Sequence, residues 1–167
     1  VYMISFDSST LILLAKSDLL KETLLSFKIM ITNIVQKECT IRETFDAGLI
    51  HALISTNEIK VEKEFTMKGV ERMMKDFNIN AGEASALWVA KKREIPLATD
   101  DGPTIKACKI LNVPFLTAIH FLLHIFDRGI ITDQKMVLVK MEKLAAFGRY
   151  HHRIIESAIS RIKGEEK

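Results

Sequence analysis

Short apolar segments alternate with amphipathic ones along this chain, and that alternation narrows its folds more than any other feature. VYMISFD (1–7) is an apolar run closed by an acid, and KIMIT (28–32), IPLATD (95–100) and VPFLT (113–117) are of the same kind. Each is short and rich in β-branched or large apolar residues, as strands buried on both faces are. EIKVEKEF (58–65) alternates instead, which suits a strand with one wet face. Between the runs lie helical patterns. SST (8–10) supplies a capping cluster before LILLAK (11–16), and a second helical stretch covers about 17–27. Asn33 caps a helix through IVQKECTIRETF (34–45) that Gly48 helps to end, and LIHALIST (49–56) is a further helical piece. TMKGVERMMKDF (66–77) puts Val70, Met73, Met74 and Phe77 on one face. AGEASALWVAKKR (81–93) and GPTIKACKIL (102–111) are the next helices. After Thr117 the pattern is helical three times over, with Gly129, Gly148 and Gly164 at C-cap positions. The expected fold is α/β: a central parallel sheet flanked by helices in three layers, with extra C-terminal helices. One domain is expected over 1–167, with the helical extension at about 118–164.

Composition narrows the class. Of 167 residues, 48% are hydrophobic and 27% charged, as in a globular domain with a sizeable core. Cys39 and Cys108 have no CxxC spacing, so they read as packing residues in a reducing compartment. No signal-peptide pattern opens the sequence. The longest uncharged run, Val113 to Phe126, is too short to span a bilayer. A cytoplasmic location without membrane contact is expected. A net charge of +3 permits a polyanionic partner without demanding one. No glycine-rich phosphate loop is present.

The acids carry the functional information. In an open parallel sheet, chemistry sits outside the carboxyl ends of the strands. Asp7 closes the first run, and Asp100 and Asp101 close PLATDD. Glu38 shares a helical face with Ile34, Val35 and Ile41, and Glu83 shares one with Ala86, Leu87 and Ala90. Both glutamates therefore sit on or beside faces that pack on the sheet. A buried unpaired carboxylate costs several kcal/mol, so a cluster needs raised pKa values or a cation. Hard oxygen ligands suit Mg²⁺ or Mn²⁺, and such a site is built for phosphodiester chemistry. Each acid also has an ordinary structural reading. Asp7 could cap a helix, Glu38 could pair with Arg42, Glu83 could favour a helix dipole, and one of Asp100 and Asp101 could cap the helix that follows.

With ISFDSST, ITNIVQKEC, INAGEASALWVAKK and LATDDGPTIKACKILNVPFLT in view, the chain resembles a PIN domain, the fold of VapC-type toxin ribonucleases and related nucleases. The resemblance covers most of the chain. Asp7, Glu38, Glu83 and Asp101 fill the acidic slots of that family, and Asp100 is an additional acid beside the last. GEASAL followed by DD looks like an archaeal and bacterial PIN subgroup outside the best-studied toxins. The resemblance implies an endoribonuclease dependent on Mg²⁺ or Mn²⁺ that leaves 5′-phosphate and 3′-hydroxyl ends. All five acids are then catalytic metal ligands, directly or through water, and Ser9 and Thr99 support the site or its waters. It also implies an RNA substrate, a homodimer and, for a toxin, an antitoxin partner. A non-catalytic PIN-fold module that binds RNA or protein is the alternative. A phospho-acceptor receiver domain is disfavoured, because its acidic pair comes early in the chain and this one comes late.

Other residues allow two readings each. His120 and His124, at i and i+4, could bind a transition metal or simply pack. His151 and His152 with Arg149 and Arg153 could touch phosphates or form a solvated face. Lys91, Lys92 and Arg93 could steer a phosphate backbone or suit a helix C-terminus. Trp88 reads as core or interface, and the Met and Leu stripe from Met136 to Leu144 as helix packing or a dimer face.

Overall fold

A computed structural model describes residues 2–165. The four apolar runs and the alternating one form β1 (Tyr2–Phe6), β2 (Phe27–Thr32), β3 (Ile59–Glu62), β4 (Leu97–Ala98) and β5 (Phe115–Leu116). They make one wholly parallel sheet in the order β3-β2-β1-β4-β5. Ile4 stands opposite Ile29, and Phe6 opposite Ala98. The helices are α1 (Ser8–Lys16), α2 (Leu20–Leu24), α3 (Asn33–Thr40), α4 (Phe45–Ser55) and α5 (Met67–Phe77). They continue with α6 (Ala81–Arg93), α7 (Gly102–Leu111), α8 (Ala118–Asp127), α9 (Gln134–Phe147) and α10 (His152–Lys163).

Successive side chains of a strand point to opposite faces. On one face Ser5 donates its hydroxyl to the carbonyl of Ala86 in α6 at 2.9 Å. On the other, Phe6 stacks on Phe121 of α8 with ring centroids 5.3 Å apart. Helices thus cover both faces, in three layers. The buried face of α6 is rich in small residues, among them Gly82, Ala84, Ser85, Ala86 and Ala90, which lets it lie close to the strands. Its Ser85 hydroxyl meets that of Thr32 at 2.7 Å, so neither buried group is left with the roughly 1–3 kcal/mol cost of an unmet hydrogen bond.

The C-terminal helices share this core. Phe121 and Ile125 of α8, Met141 and Leu144 of α9, and Ile162 of α10 belong to the same apolar cluster as Phe6 and Leu14. Buried Lys140 fastens α9 by donating to the backbone carbonyl of Asp18, while Lys143 pairs with the Asp18 carboxylate. Cys39 and Cys108 are buried free thiols, pushed up by burial to about 12 and about 11, which fits packing roles. Among the described residues no helix is long and apolar enough to cross a membrane.

Several elements differ from expectation. The helix that Asn33 was to cap is capped one residue earlier by Thr32, and it ends at Thr40. Ile41 lies beyond its end and is 80% exposed, so it is not on a packing face with Glu38. Thr44 then starts a new helix by accepting the N–H of Ala47, and α4 runs through Gly48 without stopping there. The stretch 17–27 shrinks to the single short helix α2, because Phe27 is drawn into register opposite Tyr2. β4 and β5 are only two residues long, each entered from a proline, Pro96 and Pro114, that has no N–H to give a ladder.

Candidate active site

β1 lies between β2 and β4, so the chain leaves it in one direction and returns on its other side. The crevice at such a reversal, outside the carboxyl strand ends, is where open α/β sheets bind ligands. Asp7 follows β1 and Asp100 and Asp101 follow β4, so the fold delivers all three to that crevice.

Asp7 is wholly buried and caps α1. Its Oδ1 accepts the hydroxyl of Ser9 at 2.7 Å and the N–H of Thr10 at 3.0 Å, and its Oδ2 accepts the hydroxyl of Thr99 at 2.5 Å. Burial pushes its carboxyl up from 3.8 to about 7 despite these hydrogen bonds, and the Asp100 carboxylate adds to the rise. Ser9 and Thr99 each link Asp7 to one of the paired acids. The Ser9 hydroxyl accepts the N–H of Asp100 at 3.3 Å, and that of Thr99 accepts the N–H of Asp101 at 3.2 Å.

Glu38 comes from the second turn of α3 and accepts the Ser8 hydroxyl at 2.7 Å through Oε2. Its carboxylate lies against Gly82, and a Cβ there would fall inside it. Glycine is what permits α3 and α6 to meet with an acid between them. Arg42 lies beyond the end of α3, and no ion pair joins it to Glu38 among the described residues. Glu83 forms a capping box with Asn80, accepting the Asn80 N–H at 2.9 Å. Its pKa is raised first by desolvation and further by the Asp101 and Glu38 carboxylates, so these three acids feel one another.

The adjacent aspartates have separate duties. Asp101 caps α7, with Oδ2 accepting the N–H and hydroxyl of Thr104 at 2.9 and 2.7 Å. Asp100 is tied down on both oxygens. It accepts the Thr10 hydroxyl at 2.6 Å, the Ala118 N–H at 3.1 Å and the Tyr150 hydroxyl. Burial is the main cause holding the Tyr150 phenol far above its ordinary pKa, with the Asp100 charge second, so it stays a donor. Tyr150, Thr10, Ser8 and Gly82 are the site residues that sequence reasoning missed. Ser8 and Thr10 flank Ser9, the one hydroxyl of that capping cluster the resemblance placed at the site, and a lone tyrosine between helices gives no periodic signal.

The donor set suits a hard divalent ion. Glu38 Oε1, Glu83 Oε1 and Asp101 Oδ1 accept no hydrogen bond, and none of the five acids pairs with Lys, Arg or His, among the described residues. As placed, no three His, Cys, Asp or Glu side chains among those residues are grouped tightly enough to hold an ion. The carboxylates share the edge and its charge.

A cleft of about 1140 Å³ opens over Glu83, Asp100 and Asp101. Arg149, His151 and Arg153 line it and are exposed, so the turn between α9 and α10 and the start of α10 present a solvated basic face to the site. Of the other candidates only His120 also lines this cleft. His120 spends Nδ1 on the Thr117 N–H at 2.9 Å, and His124 stacks on Phe27 at 4.7 Å, so the pair does not form a metal site. Lys91, Lys92 and Arg93 end α6, about 15 Å along the helix from Glu83, and Arg93 pairs with Glu62. Trp88 packs its indole against Gly69. In the Met136–Leu144 stripe, Val137, Met141 and Leu144 are buried.

Fold and site together define a parallel α/β protein with acids gathered at the reversal point of its sheet. A family model described as DUF3368, PIN domain, matches residues 3–164, and the chain belongs to the PIN domain family. The crystal structure of PAE2754 from Pyrobaculum aerophilum is similar, with a TM-score of 0.58 at 18% identity. The similarity covers 76% of this chain and 96% of that one and concerns the fold. No curated protein matches the sequence significantly.

Proposed function

We propose that this PIN domain is a cytoplasmic endoribonuclease that hydrolyses phosphodiester bonds with Mg²⁺ or Mn²⁺. The supporting observation is the gathering of Asp7, Glu38, Glu83 and Asp101 at one sheet edge with no cationic side chain to neutralise them among the described residues. These four would hold the ion, directly or through water, and Asp100 would keep β4, α1 and the C-terminal extension in register beside it. Bound there, the ion supplies charge neutralisation and Lewis-acid activation of water. The chain's own residues do the rest. Ser9 and Thr99 orient Asp7, and Gly82 leaves room for Glu38. The N-termini of α1, α6 and α7 favour negative charge at the cleft.

We take residues 1–167 as one domain, with its helical extension over about 118–164. We extend the proposal to a homodimer and, should the protein be the toxin of a pair, to an antitoxin partner. Light scattering and co-purification test these two.

The decisive experiment is cleavage of a fluorescent single-stranded RNA panel with Mn²⁺, Mg²⁺ or EDTA, comparing wild type with Asp7→Asn and Glu83→Gln. Metal-dependent cleavage that both variants lose is the expected result. Full activity in both folded variants would sink the assignment. No cleavage by folded wild type in any condition would turn the reading to a non-catalytic binding module.

A further inference from the structure

We propose that the C-terminal extension forms the strand-gripping wall of the cleft. Arg149 and Arg153, with Lys16 and Lys109, hold the phosphates of a single-stranded nucleic acid there, and Phe147 and Phe115 stack its bases. The proposal rests on the nuclease reading for its purpose and on the following observations for its substance.

All six side chains line the one cleft that opens over Glu83, Asp100 and Asp101. None of the four cations has a carboxylate partner among the described residues, although acids lie in the same cleft. Free cations around an acidic floor suit a ligand that is itself a polyanion and keeps the two apart. The rings come paired with the charges. Lys16 Nζ stands 5.7 Å from the centroid of Phe147, and Lys109 Nζ stands 5.9 Å from that of Phe115. A ring face beside an ammonium matches the two parts of a nucleotide, a flat base and a phosphate. Phe147 is 55% exposed, so the ring face turned away from Lys16 is available, while Phe115, partly buried against the core, offers only the exposed part of its ring. Base faces are open to such stacking only in an unpaired strand, which selects single strands over a duplex.

The size of the cleft points the same way. About 1140 Å³ exceeds the roughly 300–1,000 Å³ of pockets built for one small molecule, and suits several linked nucleotides. The wall is also held in place. Tyr150 lies between Arg149 and His151 in sequence and donates to Asp100, so the turn that carries Arg149 and leads into the helix of Arg153 is fastened to the acidic floor. An acidic peptide would satisfy the cations but leave the ring faces unused.

The test is fluorescence anisotropy in EDTA, where cleavage cannot interfere, with labelled RNA and DNA single strands of about twelve nucleotides and an RNA duplex. Wild type is compared with Arg149→Ala/Arg153→Ala, Phe147→Ala and, as a control of equal charge on the far end of α6, Lys91→Ala/Lys92→Ala. Single strands should bind at least about tenfold more tightly than the duplex, with the RNA and DNA arms showing which sugar is preferred. The double arginine variant should lower the slope of log affinity against log salt by about 1.4, roughly 0.7 for each lost phosphate contact. Phe147→Ala should weaken binding about tenfold, and the control should stay within about twofold of wild type.

Wild-type binding and salt slope in the folded arginine variant would overturn the proposal. So would a duplex, or a glutamate-rich peptide, that binds as tightly as the single strands. Cleavage that needs metal, together with binding blind to the wall variants, would keep the nuclease and discard this wall. Strand binding through the wall without cleavage would do the reverse.

Discussion

Replacing Asp7 by asparagine should make the metal-free protein more stable at about pH 8 while removing its activity. Asp7 is wholly buried, and its carboxyl is raised from 3.8 to about 7, chiefly by desolvation. In the unfolded chain it ionises near 3.8, but in the folded protein only near 7. Between those values the folded state binds the extra proton, so stability falls as pH rises through that window and the loss is complete above it. Three pKa units correspond to about 4 kcal/mol. Asparagine carries no charge and escapes this term. Its amide nitrogen cannot accept the Thr99 hydroxyl as Oδ2 does, a loss of about 1 kcal/mol. The net gain should be about 3 kcal/mol at about pH 8, shrinking to about zero at about pH 4, where native Asp7 is itself neutral and its protonated oxygen accepts no better than an amide nitrogen. Urea denaturation of both proteins in EDTA at the two pH values measures this directly. Saturating Mn²⁺ should then stabilise wild type and leave the variant nearly unmoved. An Asp7→Asn protein no more stable than wild type at about pH 8 would refute the claim that an uncompensated charge is buried here.

Two further substitutions separate site from scaffold. Gly82→Ala should keep the fold and add up to about 1 kcal/mol of helix stability, because the group in the way is the mobile end of Glu38. Its affinity for Mn²⁺, read by calorimetry, should drop at least about tenfold as that carboxylate is displaced; unchanged affinity would remove Glu38 from the ligand set. Tyr150→Phe should cost roughly 1.5–3 kcal/mol in urea denaturation by deleting a hydrogen bond to a charged acceptor. Faster hydrogen exchange across α9 and α10 should accompany it, and a silent variant would mean that the extension is held by its apolar contacts alone.

Much of this fold is legible in the sequence because it is written in local periodicity. The four apolar runs and the alternating one all become strands, and Val70, Ala86, Leu87 and Ala90 are buried as their spacing predicts. What is not legible depends on partners brought from far away. Tyr150 meets Asp100 across 50 residues, and Lys140 reaches Asp18 across 122. Gly82 matters because of Glu38 on another helix, and nothing in GEASAL states that. Periodicity describes an element's own faces and is silent about which element will cover them. The misplaced helix end at Thr40 has the same origin, since Ile41 fits an apolar stripe that no neighbour covers.

The structural readings of the acids prove to be compatible with the functional one. Asp7 and Asp101 do cap helices, and Glu83 does close a capping box. A cap, however, needs only one acceptor oxygen and no charge. This chain shows as much, because Thr32, Thr44, Thr66 and Asn80 cap α3, α4, α5 and α6 with neutral side chains. Asp133 caps α9 with a carboxylate, but it is exposed and its charge is hydrated. Asp7 is different. A threonine there would satisfy the N–H of Thr10 without about 4 kcal/mol of desolvation at neutral pH. Capping therefore accounts for an oxygen at the end of β1 and leaves the buried charge unexplained. Glu38, which caps nothing, sharpens the point, since Gly82 is kept free of a side chain where that carboxylate lies. The proposed cation-binding edge would account for both features at once.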